Sequence, residues 1–308
     1  MQQHIPVLLP AVIEALRPAD SMVMRLIDGT VGGGGHSHAL LEAGIDEVLA
    51  IDRDTRAIAQ ARQRLASFGG QVTFYHGSYL EMRNPATAMG WSTVDAILLD
   101  LGLSSPQLDD PGRGFSFRYE APLDMRFDTV DDSATAHDLI NKLPAGELAD
   151  LLFRYGEERH ARRIAGAIVE GRPVSTTLEL AELVASAIPL PARRSSKIHP
   201  ATKTFQALRI AVNQELDAVE KVIPIAIDLL RPGGRLAVIT FHSLEDRLVK
   251  HAFKQLATNV VSPPGMASIQ ARQAKVKPVT RKPIVPDSKE LGANPRSRSA
   301  KLRVIEKL

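Results

Sequence analysis

The chain has 308 residues, 44% of them hydrophobic and none of them cysteine, so it can bury a full core in one large domain or two but holds no disulfide framework, thiolate metal site or iron–sulfur cluster. Its net charge of +3 hides an asymmetry, because residues 250–308 carry 13 Lys/Arg against 3 Asp/Glu, a balance of +10 beside −7 for the rest; such a segment fits either a polyanionic partner or a solvated tail. No run approaches the ~18 apolar residues of a membrane span, and residues 1–20 lack the basic start and apolar stretch of a secretory signal, so the sequence reads as soluble and cytoplasmic.

In chain order, strand patterns fall at 22–28, 47–52, 71–76 and 96–101, with helix patterns at 36–43, closed by Gly44, and 55–68, closed by Gly69-Gly70. This alternation predicts an α/β fold with a parallel sheet and crossover helices. A Gly, Pro and Asp-rich loop at 106–132 follows, then helix patterns at 136–143, 145–155, 157–170 and 177–188. A longer helical stretch, 201–230, contains Pro224 as an expected kink and stops at Leu230-Arg-Pro-Gly-Gly-Arg-Leu before a strand at 235–240. After Phe253 the chain is basic and proline-punctuated and reads as loop until an alternating run at 301–306. The simplest organisation is a discontinuous domain, 1–106 with 210–308, into which a helical domain, 107–209, is inserted after the fourth strand.

The first strand turns into the first helix through Asp28-Gly-Thr-Val-Gly-Gly-Gly-Gly-His36. Glycines there let the backbone approach a ligand and leave amides free at a helix start. No lysine follows as in a phosphate-binding P-loop. At the end of the second strand, Asp52 can accept hydrogen bonds from both hydroxyls of a ribose. NAD and S-adenosylmethionine both present an adenosine to such an edge. The spacing is wrong for a pyrophosphate fingerprint, since Ser37 stands where the third glycine belongs, and Asp28 repels a pyrophosphate but attracts the cationic amino group of a methionine moiety. These points favour the sulfonium cofactor. Tyr79, after the third strand, offers a flat face for adenine, although an aromatic residue is more often core.

The fourth strand ends in Leu98-Leu-Asp-Leu-Gly-Leu-Ser-Ser-Pro-Gln107. In methyltransferases that act on exocyclic amines, a short polar motif ending in proline holds the NH2 group at this place. Cytosine N4 is a poor nucleophile because its lone pair is delocalised into the ring. Hydrogen bonds from its NH2 group to the Asp100 carboxylate and to carbonyls around Ser104, Ser105 and Pro106 draw the nitrogen toward tetrahedral geometry. In-line positioning supplies up to about 7–11 kcal/mol. The lack of cysteine removes the usual nucleophile for methylation at cytosine C5 and the cluster that radical use of S-adenosylmethionine requires.

Asp28-Gly-Thr-x-Gly-x-Gly-Gly-His-Ser37, Asp100-Leu-Gly-x-Ser-Ser-Pro-Gln-Leu-Asp109, Arg113-Gly-Phe-Ser-Phe117, Pro122-Leu-Asp-Met-Arg126, Tyr155-Gly-Glu-Glu-Arg159, His199-Pro-Ala-Thr-x-Thr-Phe-Gln-Ala-Leu-Arg209 and Phe241-His-Ser-Leu-Glu-Asp-Arg247 together resemble the bacterial 16S ribosomal RNA cytosine-N4 methyltransferase family. The resemblance runs in order across nearly the whole chain, with Gly33 a small departure. It implies a class I, Rossmann-like methyltransferase sheet with a last antiparallel strand, and an inserted helical domain that recognises substrate. It implies S-adenosylmethionine contacts at Gly34, Gly35, His36, Asp52, Tyr79, Asp100 and Gln107. It also implies a cytidine target in the decoding region of 16S ribosomal RNA, presented within an assembling small subunit.

His242-Ser-Leu-Glu-Asp246 reads either as a substrate-side histidine or as a helix cap formed by Ser243 and Asp246, with metal ligation disfavoured for want of clustered ligands. Arg159, Arg162, Arg163, Lys197, His199, Lys203 and Arg209 are candidates for RNA contact, though each taken singly is more often solvated or ion-paired. The acidic loop 109–132 repels RNA unless it covers the cofactor or pairs with Arg113, Arg118 and Arg126. Two other classes stay open on these residues, an NAD-dependent oxidoreductase and a non-catalytic RNA-binding assembly factor. Oligomeric state, monomer or homodimer, is open as well.

Overall fold

The structure is a computed structural model that describes residues 5–17, 24–104, 107–108, 110–130, 132–196, 198–259 and 273–308. In chain order it begins α1 (Leu9–Leu16), β1 (Arg25–Asp28), α2 (Gly35–Glu42), β2 (Glu47–Asp52), α3 (Thr55–Arg64), β3 (Val72–His76), α4 (Arg83–Ala88) and β4 (Val94–Asp100). Among the described residues there follow α5 (Ala136–Lys142), α6 (Ala145–Gly156), α7 (Ala161–Glu170), α8 (Thr177–Ala187), α9 (Leu190–Ser195) and α10 (Thr202–Asn213). The chain then runs through α11 (Glu215–Leu229), β5 (Leu230–Thr240), α12 (Ser243–Leu256), β6 (Val276–Pro278), α13 (Ser288–Ala293) and β7 (Lys301–Lys307). It divides into two compact units, Met1–Gly102 with Leu216–Leu308, and Leu103–Glu215, where the sequence reading cut at 106 and 209.

The first unit is built on one sheet of order β3-β2-β1-β4-β5-β7-β6. β1 to β5 pair in parallel, and β7 runs antiparallel between β5 and β6. Its strands are almost continuously apolar because both faces are covered. Successive side chains go to opposite faces: Val48 and Ala50 of β2 and Ala96 and Leu98 of β4 pack with Val12, Leu40 and Ile58 of α1, α2 and α3. Leu49, Ile51, Ile97 and Leu99 pack on the other side with Ala86 of α4, Val222 and Ile223 of α11 and Phe253 of α12. The class I methyltransferase sheet and its antiparallel last strand are therefore as expected. α1, α4, α9, α13 and β6 add to what the sequence patterns predict. Pro278 closes β6 at the sheet edge, where a missing backbone N–H is tolerated, so a proline-rich segment read as loop contributes a strand.

The long helical stretch is broken at Gln214 and not at Pro224, which lies inside α11. Gln214 takes the left-handed conformation, φ 51°, and its N–H closes α10 onto the carbonyls of Ala211 and Ile210. The helix ends at Leu229, as the Leu230-Arg-Pro-Gly-Gly signal predicts, and β5 begins at Leu230, five residues before the expected strand at 235.

The second unit has its own core, in which Ile140, Leu148, Leu152, Ile164, Ile168, Leu180, Val184 and Leu208 from α5 to α8 and α10 join Phe115, Leu123 and Met125 of the preceding loop. That loop folds on itself. Arg126 pairs with Asp124 at 2.8 Å, Arg113 donates to the carbonyls of Arg126 and Phe127, and Asn213 accepts the Phe127 N–H while donating to the Met125 carbonyl. Among the described residues no helix is long and apolar enough to cross a membrane.

Candidate active site

β1, β2 and β4 lie side by side, and the strand order reverses between β1 and β4, the place where open α/β sheets bind ligands beyond the carboxyl ends of their strands. β1 ends at Asp28, β2 at Asp52 and β4 at Asp100. Tyr79 opens the turn after β3 and is half-buried. Gly29 permits its approach, since a Cβ there would stand 3.1 Å from Tyr79 Cβ and 2.7 Å from Leu99 Cδ2. Gly34, φ 75°, turns the loop into α2, which Gly35 and His36 begin.

Of the three carboxylates Asp28 is buried and Asp52 and Asp100 are half-buried, and they are held differently. Asp28, 1% exposed, accepts the Ser37 hydroxyl at 2.6 Å and the Thr30 N–H at 3.2 Å, so both oxygens turn into the glycine loop. Asp52 accepts one N–H on each oxygen, from Gly32 at 2.8 Å and Asp54 at 2.9 Å. Burial raises each of these two to about 6, against the lowering effect of those bonds. Asp100 has less support. Its backbone N–H donates to Thr30 Oγ1 at 2.6 Å, its Oδ2 lies 3.6 Å from His36 Nδ1, and its buried Oδ1 has no hydrogen-bond partner among the described residues. Burial, and secondly the charge of Glu245, push Asp100 up to about 7. The His36 ring is buried with Nε2 at 2.9 Å from the Val7 carbonyl, and burial holds its pKa below the ordinary histidine range.

The structure thus brings Asp28, His36 and Asp100 together, with Asp52 on the neighbouring strand. His242 caps α12 itself, one residue earlier than expected: its Nδ1 accepts the Glu245 N–H, and Glu245 returns a carboxylate oxygen to the N–H groups of Phe241 and His242. Asp246, the expected capping partner, pairs instead with Lys301 and Arg303. In the second unit, Gln107 Oε1 accepts the Ser104 N–H at 3.0 Å; Ser105, Pro106 and Lys197 lie outside the described residues. His199 is exposed and stacks on Phe117 at 4.6 Å, and Lys203 donates to the Glu157 carbonyl at 2.9 Å. Arg209 is held in a buried ion pair with Glu215 at 2.7 Å.

Sequence reasoning missed Val7, Thr30 and Glu245. Thr30 and Glu245 stood within quoted motifs. Val7 acts through its backbone carbonyl, which no residue type announces.

The model of the MraW methylase family matches residues 1–308. The chain is 48% identical over 312 residues to the ribosomal RNA small subunit methyltransferase H of Heliobacterium mobile, covering 99% of each chain. It is 48% identical over 311 residues to the protein of that name from Nitratidesulfovibrio vulgaris, covering 99% of this chain and 86% of the relative. A solved rRNA methylase from Streptococcus thermophilus aligns with 97% of this chain and 93% of its own, at 12% identity and a TM-score of 0.42, a likeness too distant to add to the sheet order. The oxidoreductase alternative falls with the full-length match. With every residue covered and relatives near half-identical along their length, the chain belongs to the MraW methylase family and is a methyltransferase.

Proposed function

We propose that this chain transfers the methyl group of S-adenosylmethionine to the exocyclic N4 amine of a specific cytidine in 16S ribosomal RNA, in the cytoplasm and within an assembling small subunit. The observation that carries this reading is Asp100, whose buried Oδ1 lacks a partner. An unpaired buried acceptor costs about 1–3 kcal/mol, and an NH2 donor from a ligand offsets that cost.

The residues present fit the cofactor. A carboxylate has about four lone-pair sites, so Asp52 keeps acceptor capacity for ribose hydroxyls after taking two backbone N–H groups. Tyr79 stacks adenine, and Gly34, Gly35 and His36 line the methionine end. Asp28 shapes the loop and adds negative charge for the amino group. Gln107 keeps its assignment as a cofactor contact on the family motif alone. Bound there, S-adenosylmethionine supplies an electrophilic methyl group on cationic sulfur. Asp100 takes a hydrogen of the acceptor amine and so localises its lone pair, while Ser104, Ser105 and Pro106 keep their assignment to the other hydrogen on the family motif alone.

The inserted unit is assigned to RNA recognition. Arg159, Arg162 and Arg163 are exposed and carry no hydrogen bond or ion pair among the described residues. His199, on Phe117, offers a stacking surface for an unpaired base, and Lys203 keeps two further N–H donors. His242 is assigned to the substrate side on the family motif. Within the acidic loop, Asp124 is paired with Arg126, which removes one of its charges from the face offered to RNA.

The test is incubation of the protein with methyl-labelled S-adenosylmethionine and small subunits from cells lacking it, followed by nucleoside analysis of the 16S RNA. N4-methylcytidine at one site is the expected result. Cofactor and RNA binding without any labelled nucleoside would instead indicate a non-catalytic assembly factor.

A further inference from the structure

We infer that His36 is a positioning residue for proton removal, holding Asp100 ready to take the proton that the acceptor amine loses; the inference rests on the amine methylation proposed above. A carbonyl only accepts, so the 2.9 Å contact with Val7 places the hydrogen on His36 Nε2 and leaves Nδ1 of the neutral ring as an acceptor. Nδ1 faces Asp100 Oδ2 at 3.6 Å. Two acceptors in that arrangement oppose their lone pairs, and one proton between them turns opposition into a hydrogen bond as the distance closes toward ~2.8 Å. Asp100 therefore has two unlike sides. Oδ2 looks at an imidazole fixed by the backbone, and Oδ1 is buried with no partner among the described residues.

The charged groups around the pair are Asp28 on β1, which acts on both members, Glu290 on α13, which acts on His36, and Glu245 on α12, which acts on Asp100. Arg64 of α3 donates to the Gly33 carbonyl at 3.3 Å, just before α2. On this inference one resting proton lies between Asp100 Oδ2 and His36 Nδ1, on the carboxyl side, because the two atoms face each other at 3.6 Å with Nε2 already committed to Val7, and the three carboxylates favour a proton there.

As the amine lone pair bonds to the methyl carbon, the carbon–sulfur electron pair returns to sulfur and the nitrogen becomes cationic. The nitrogen sheds one proton to Oδ1, and the proton on Oδ2 passes to Nδ1. One proton enters the carboxyl and one leaves it, so Asp100 stays neutral. The positive charge lost from sulfur ends on the imidazole, which returns its proton to solvent after product release.

The test starts without cofactor. Nitrogen NMR of the wild-type imidazole should show Nε2 protonated and an Nδ1 resonance that moves with pH near neutrality, a movement lost in Asp100→Asn. A neutral ring protonated on Nδ1, or an Nδ1 indifferent to Asp100, would overturn the inference. In turnover, His36→Gln keeps an amide donor for Val7 but has no second basic nitrogen. It should lower kcat about 100-fold, change the cofactor Kd less than about tenfold and move the acidic limb of the kcat–pH profile. In an Asp100→Asn background it should add nothing, because the two residues act as one. Additive losses, or a lower kcat with an unmoved profile, would contradict the inference while leaving amine methylation intact. No N4-methylcytidine from the wild type would remove the proposed reaction and this inference with it.

Discussion

Arg209 and Glu215 are joined across the break at Gln214, Nε to Oε1 at 2.7 Å and Nη2 to Oε2 at 2.8 Å, with side chains 13% and 7% exposed. Removing one member of such a pair leaves a buried charge without its counter-charge. Arg209→Ala should therefore destabilise the protein by about 3–5 kcal/mol, seen as a lower urea midpoint. RNA affinity measured below the unfolding transition should stay near the wild-type value. Normal stability with lost RNA affinity would return Arg209 to the substrate side.

Asp52 and Asp100 should separate in kinetics. Asp52→Ala removes a charged acceptor for the ribose and should weaken cofactor binding by about 1.5–3 kcal/mol, roughly 10- to 100-fold, in a calorimetric titration. Asp100→Asn keeps the shape but takes no proton, so kcat should fall by about 100-fold or more with a smaller change in KM. The same profile for both variants would refute the division of roles.

Asp28 and Asp52 at about 6 and Asp100 at about 7 all lie above the ordinary 3.8. Between roughly pH 4 and 7 the folded, cofactor-free chain then binds more protons than the unfolded chain, so its stability falls as pH rises through that window. Denaturation across that range should show this slope, reduced in Asp52→Asn. Ribose hydroxyls favour the charged Asp52, so cofactor binding near pH 6 should release protons, detected by calorimetry in buffers of different ionisation enthalpy. No release at that pH would count against Asp52 as the ribose acceptor.

If Arg159, Arg162 and Arg163 meet phosphates, each replacement by alanine should weaken RNA binding without changing the site methylated, and should lower the slope of log affinity against log salt by about one. Filter binding at several salt concentrations gives that slope directly. An unchanged slope in the triple variant would place the RNA elsewhere.

The sheet was legible because its strands are short apolar runs bounded by glycine and by carboxylates, and the periodicity of the inserted helices follows from a single buried stripe on each. What stayed hidden was set by backbone geometry. Nothing in the side chain of Gln214 demands a left-handed turn, whereas Pro224, the expected kink, lies inside a continuous helix. The same holds at the site. Asp28, Asp52 and Asp100 stand out as charged residues at strand ends, but that Asp28 would turn into the loop toward Ser37 depended on a close approach no spacing reveals. The His242 cap was misplaced by one residue because serine is the commoner capping residue.

The Val7 carbonyl that orients His36 lies in a segment tied down by partners far along the chain: the Leu8 N–H donates to Glu290, 282 positions away, and Asn294 donates to the Ile5 carbonyl. Contacts of such long sequence separation are among the slowest to form. If His36 acts on Asp100 as inferred, a chain with the sheet assembled but this clasp open should be silent as an enzyme, because the ring would lack the acceptor that orients it.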